Sequence, residues 1–111
     1  MAALSGDARN YFIFSSFTIG MSWIDLANLK IENIAGGRIY YKRSKTGKEH
    51  TIKINNKISD IIDYYSKGKK WNDYLFPIIQ RTANPEDMRK DIKNNLKNYN
   101  KQLKKIAEMA D

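Results

Sequence analysis

The stretch Arg38-Ile39-Tyr40-Tyr41-Lys42-Arg43-Ser44-Lys45-Thr46-Gly47-Lys48-Glu49-His50-Thr51-Ile52-Lys53-Ile54 decides the fold. Two strand-like runs, Arg38 to Arg43 and Glu49 to Ile54, flank Ser44 to Lys48. The second run alternates, with Thr51 and Lys53 against Ile52 and Ile54. Gly47 supplies a flexible turn position, so the segment reads as a hairpin with a loop of about five residues. Just upstream, Lys30 to Ile34 reads as a short strand, and Ala35-Gly36-Gly37 as the turn that joins it to the hairpin. Three short antiparallel strands are thus expected in the middle of the chain.

Outward from this sheet the hydrophobic period becomes helical on both sides. Toward the N-terminus a first helix is expected to begin at Ser5 to Asp7, with Asp7 as N-cap. Apolar side chains crowd every face from Tyr11 to Phe17, the pattern of a central helix, and Gly20 should end it. Ser22 can cap a short helix from Trp23 to Leu29, whose apolar positions 23, 26 and 29 share a face. Toward the C-terminus, Asn55 or Asn56 can cap a third helix with Ile58, Ile61, Ile62 and Tyr65 on one side, ended by Lys67-Gly68-Lys69-Lys70. Leu75-Phe76-Pro77-Ile78-Ile79 reads as a short buried loop. Asn84-Pro85-Glu86-Asp87 is a strong helix start: an Asn cap, proline at the first position, acids in the first turn. From there Met88, Ile92, Leu96, Tyr99, Leu103, Ile106 and Ala110 make one amphipathic stripe. The fold class expected is α+β: helices packed on a small three-stranded antiparallel sheet, ending in a long amphipathic helix. That last helix could pack within the chain or pair with another copy.

The 111 residues suit a single domain, 1–111. The absence of cysteine excludes a disulfide scaffold, a thiolate nucleophile and a cysteine-based zinc site, and one histidine, His50, excludes a His-rich metal cluster within the chain. The longest uncharged stretch, Tyr11 to Ile24, is shorter than the ~20 apolar residues of a membrane span and is broken by Ser15, Ser16, Thr18 and Gly20. No membrane segment or secretory leader is expected, and the default location is the cytoplasm. The formal net charge is +8. Residues 30–70 hold eleven Lys and Arg against four acids, so nearly the whole surplus lies in the middle third. Such an excess favours a polyanionic partner, most simply nucleic acid.

No catalytic constellation is complete. Paired carboxylates, a Ser/His/Asp set and a phosphate-cradling glycine motif are absent. His50 reads as a surface strand residue beside the turn. The seven tyrosines, at 11, 40, 41, 64, 65, 74 and 99, read as core or rim aromatics. The basic hairpin is more informative. Lys42, Arg43, Lys45, Lys48 and Lys53 lie within twelve residues, with Tyr40 and Tyr41 beside them. A cationic hairpin tip can clamp phosphates, because each contact releases condensed counterions. The same lysines would also serve as a solvated loop.

The order of motifs adds to this. From Phe14 to Leu29, through Thr18-Ile19-Gly20-Met21-Ser22-Trp23-Ile24-Asp25, the chain resembles the first active-site box of the tyrosine recombinase (phage integrase) family, roughly T-G-L-R-x-x-E-x-x-x-L. The resemblance continues with a strand, a Gly-bearing turn and a hairpin of the form K/R-x-K-T-G, here Lys42-Arg43-Ser44-Lys45-Thr46-Gly47 followed by Thr51-Ile52-Lys53-Ile54, then in the capped helix, the Leu75-Phe76-Pro77 segment and the long basic helix. It covers about Ala8 to Ala110 and is nearest to the integrases of conjugative transposons of gut anaerobes. It implies DNA strand exchange without cofactor or metal, with DNA and other recombinase protomers as partners. In the family a tyrosine attacks the scissile phosphate, basic residues stabilise the spreading charge and a hairpin lysine protonates the leaving 5′ oxygen.

Carried over residue by residue, the resemblance makes Lys45 the general acid and Asp25 a group that orients basic partners. Lys42, Arg43, Lys48 and Lys53 become DNA-binding residues. The box arginine should stand where Ser22 stands. Some members carry it just before the box glycine, and that position is Ile19. Either another basic residue such as Arg43 substitutes, or the parent protein is impaired. The H-x-x-R box, the following His or Trp and the tyrosine nucleophile come after the long helix in the family, and this sequence contains none of them. The expectation is therefore a partial catalytic domain that binds DNA and does not cleave it alone. The alternatives are a non-catalytic DNA-binding or protein-interaction module and a homodimer built on the 88–110 stripe.

Overall fold

The computed structural model describes residues 6–110, except the side chains of residues 106, 109 and 110. The order is α1 (Gly6–Phe17), α2 (Trp23–Asn28), a 3-10 turn (Ile31–Asn33), β1 (Ile34–Ala35), β2 (Arg38–Lys42), β3 (Glu49–Lys53), α3 (Asn56–Ser66) and α4 (Pro85–Ala110). The strands form one antiparallel sheet in the order β1-β2-β3. The fold is α+β, as the sequence predicts.

The sheet is held by its turns. Ala35 pairs with Arg38 across Gly36-Gly37, both at positive φ (57° and 76°), the tight connection whose twist matches antiparallel strands. Between β2 and β3, Arg43 N–H donates to Lys48 O at 2.8 Å and Gly47 N–H to Arg43 O at 2.7 Å, with Gly47 at φ 71°. The connection runs from Arg43 to Lys48, so each strand is one residue shorter than expected and Arg43 belongs to the turn. Ile39, Tyr41 and Ile52 face the core; Arg38, Tyr40, Lys42, Thr51 and Lys53 face solvent.

The helices cover the inner face of this sheet. Asn55 caps α3, its Oδ1 accepting from Ile58 N–H at 2.9 Å, and Ile58, Ile61, Ile62 and Tyr65 are buried, the face expected from spacing. Asn84 caps α4 by accepting from Asp87 N–H at 2.8 Å. Met88, Ile92 and Tyr99 pack against the core, and Trp23 of α2 stacks on Tyr99 (4.7 Å, 18°) while its Nε1–H donates to Ile92 O at 3.0 Å. Stacked aromatic pairs add about 0.5–1.5 kcal/mol beyond their buried area. The N-terminal half of α4 thus packs within the chain. Leu96 and Leu103 are half-buried, and the side chains of Ile106 and Ala110 lie outside the described residues.

Three expectations are corrected. The strand expected over Lys30 to Ile34 is only Ile34–Ala35, so Ala35 leaves the expected turn; residues 31–33 wind into a 3-10 turn, whose start is fixed by Asn33 Oδ1 accepting from Lys30 N–H at 2.8 Å. The Asn33 and Ile34 amides close the turn on Lys30 O and Ile31 O, while Ile31 N–H donates to Asp73 O at 3.0 Å and Glu32 N–H to Trp71 O at 2.9 Å. Asp7 does not cap α1 but sits in its first turn, where its carboxylate accepts from the Tyr65 hydroxyl; Ser5 lies outside the described residues. Finally, α1 is not buried all round. Ala8, Tyr11 and Phe14 face α3 and α4, whereas Phe12 and Phe17 are about half exposed, because no described element covers that side. The Leu75-Phe76 loop is buried as expected, and Lys69 Nζ secures it by donating to the carbonyls of Tyr74 (2.9 Å) and Leu75 (2.5 Å).

Candidate nucleic-acid interface

The site grows from the junction of α2 with the hairpin turn. Ser22 adopts extended backbone and caps α2, its Oγ accepting from Asp25 N–H at 3.2 Å. This aims Asp25 inward. The Asp25 carboxylate is buried, and its Oδ1 accepts from the backbone N–H of Ser44 at 3.1 Å. Nineteen residues of sequence separate the pair. One hydrogen bond therefore holds the hairpin turn against the start of α2, one residue before Lys45.

Asp25 Oδ2 is buried and has no hydrogen-bond partner among the described residues. It lies at a cavity of about 90 Å³ that Asn28, Asn33, Tyr41 and Lys42 also line. A buried carboxylate oxygen without a donor is costly, so this corner favours a basic or N–H group beside it. Burial pushes the Tyr41 hydroxyl above its ordinary value; the Arg43 charge pulls it back and the Asp25 charge raises it further. Arg43 and Asp25 therefore act on one point at the base of the turn.

The cations sort by position. Lys45 and Lys48 are exposed on the turn, and Arg43 is half-buried at its base. Lys42 lies on the outer face of β2 opposite Glu49. Lys53 lies opposite Arg38. Like charges directly opposite on a sheet repel, and a bound anion relieves that repulsion. Arg38 becomes a candidate only here, because the strand register puts it beside Lys53. Ser22, at the position of the box arginine, is a helix cap, and Ile19 is an 82 % exposed side chain next to Gly20. Arg43 alone among the named basic residues is half-buried and electrostatically coupled to the Asp25 corner.

His50 differs from its expected surface position. It is half-buried and stacks on Tyr41 (5.7 Å, 26°). Burial raises the hydroxyls of Tyr11, Tyr65 and Tyr99, which disfavours their phenolate forms; Tyr40 and Tyr64 are exposed. Among the described residues there is no group of three or more His, Cys, Asp or Glu that could hold a metal ion, and no helix is long and apolar enough to cross a membrane.

Comparison with known proteins returns one relationship to weigh against this geometry. The chain is similar to a protein named Integrase from Escherichia phage P2, with 33 % identity over 82 residues, which is 74 % of this chain and 24 % of that protein. The chain thus spans about a quarter of the length of the curated relative it matches. No family model matches the chain, and no solved structure matches it.

Proposed function

We propose that the chain is part of a tyrosine recombinase-type integrase, the first half of its catalytic domain, and that it binds DNA through the β2–β3 hairpin. Within the family the motif order points nearest to integrases of conjugative transposons, acting in the cytoplasm with other protomers. The observation that carries the reading is the Asp25–Ser44 hydrogen bond. It joins the two segments that resemble the family's first box and its lysine hairpin, and the similarity to the phage P2 Integrase supports the same assignment.

In this reading Lys42, Arg43, Lys48 and Lys53 neutralise phosphates and set the register of the hairpin on the duplex. Lys45, exposed on the turn that Asp25 steadies, gives its proton to the 5′ oxygen as the phosphorus–oxygen bond breaks. The attacking tyrosine and the H-x-x-R box would come from outside these 111 residues. A second reading, a DNA-binding module without chemistry, has Ser22 in its favour, since a capping serine stands where an arginine would contact the phosphate.

Titration of a short duplex at several salt concentrations tests the binding. With about four hairpin phosphate contacts, the hairpin accounts for about −3.6 in the slope of log K against log salt. The combined variant Lys42→Gln, Arg43→Gln, Lys48→Gln and Lys53→Gln should lose that part of the slope. An affinity that ignores salt, or a variant that binds like the parent chain, overturns the reading.

A further inference from the structure

We infer that the outer face of α4 is a second phosphate-contacting surface for duplex DNA, separate from the hairpin; this rests on the DNA-binding reading above. Residues 88–105 contain seven Lys and Arg and one acid, Asp91. That acid is not on the outer face. It is buried, and its Oδ2 accepts from the backbone N–H of Gln80 (3.0 Å) and of Arg81 (2.8 Å). Its Oδ1 meets the Arg81 guanidinium, with Nε at 3.0 Å and an ion-pair contact of 2.8 Å. The charge of Asp91 is thereby spent on the 80–81 segment.

Lys90, Lys93, Lys97, Lys101 and Lys104 recur at helical spacing on one side of α4, and all five are exposed. The opposite side carries Met88, Ile92 and Tyr99 into the core. Lys90 has one weak partner, Glu86 at 3.7 Å; none of the other four has an acidic partner among the described residues. At 1.5 Å per residue the row is about 21 Å long, the axial reach of about six phosphates on one strand.

An unbroken row of like charges is self-repelling along a helix. A surface built only for solubility intersperses both signs. A ligand with regularly spaced negative charge answers both points. A membrane surface fits less well, because the apolar face that would insert is already packed on α1 and α2.

The test compares the chain with the triple variant Lys97→Gln, Lys101→Gln and Lys104→Gln. Glutamine keeps helix propensity and the sites are exposed, so the variant should fold; circular dichroism verifies that. On a 20-base-pair duplex the variant should lose about 2.7 from the salt slope, and the Lys→Arg triple variant should retain it. The parent chain should show a slope steeper than the hairpin alone explains. If the parent chain binds and the glutamine variant matches it, the helix surface is wrong while the hairpin reading stands. If the hairpin variant binds normally and the helix variant does not, the hairpin reading fails and the helix surface stands. No binding by the parent chain overturns both. Loss of binding to phosphatidylserine vesicles with unchanged binding to DNA overturns the inference in favour of a membrane surface.

Discussion

Asp25 joins two parts of the chain that the sequence lists nineteen residues apart, and it does so with one carboxylate. Its Oδ1 holds Ser44 N–H while its own N–H is held by Ser22 Oγ. Lys45 therefore projects from a turn anchored at its preceding residue. Under the proposed reading, that lysine is a proton donor among phosphate anchors, a distinction that charge alone cannot make and kinetics can. If the proposed recombinase reading holds, Lys45→Ala in a cleavage-competent protein that contains this sequence should slow cleavage of an ordinary phosphodiester by on the order of 10²–10⁴. Sulfur in place of the leaving 5′ oxygen should restore much of that rate, because a thiolate leaves without a proton. Lys48→Ala should weaken DNA binding and lower the salt slope by about one, with no sulfur rescue. Rescue of Lys48→Ala in place of Lys45→Ala would shift the hairpin register; rescue of neither would leave Lys45 a phosphate anchor.

At the scale of elements, the end of α1 is the strained joint. Gly20 N–H donates to Ser15 O at 2.9 Å and Thr18 Oγ1 to Phe14 O at 2.7 Å, closing the last turn. The closure forces Ile19 to φ 58°, a left-handed conformation that a β-branched side chain adopts at a cost of roughly 1–2 kcal/mol. Ile19 is also 82 % exposed, so little packing offsets the strain. Ile19→Gly should raise stability by about 0.5–1 kcal/mol after the greater unfolded-state freedom of glycine is subtracted. A lower urea midpoint in the variant would show that Ile19 packs against something that stabilises it. The same joint explains why Gly20 is a sound stop signal and yet not the residue that ends the helix: α1 ends at Phe17, and both Ile19 and Gly20 turn the chain toward α2.

For the whole molecule, the long-range ties concentrate on α4 and on the 71–81 segment. The Arg81 guanidinium and backbone hold the Asp91 carboxyl below its ordinary value of 3.8. The unfolded chain binds that proton more readily than the folded one. The contribution of Asp91 to stability is therefore full above its ordinary value and is lost as pH falls below it. Asp91→Asn should melt below the parent chain at pH 6, and the gap should narrow as the solution is acidified past pH 4; a constant gap would mean the pair is not ionic. The sequence by itself determined the α+β class, the two hairpin runs, the caps at Ser22 and Asn84, a cap at Asn55 or Asn56, and the buried face of α3. Each is legible because its cause is local: a period of two or 3.6, a glycine at positive φ, a side-chain oxygen three residues before the amide it caps. The basic hairpin was legible for the same reason, as a cluster in sequence. Only the tertiary structure decided that residues 31–33 form a 3-10 turn joined to the 71–75 segment, that Arg38 lies opposite Lys53, that Asp25 reaches Ser44 and that Asp91 turns away from the lysine row. Those contacts depend on where distant backbone amides find acceptors, and a buried amide takes the partner that packing brings to it, which no local pattern encodes.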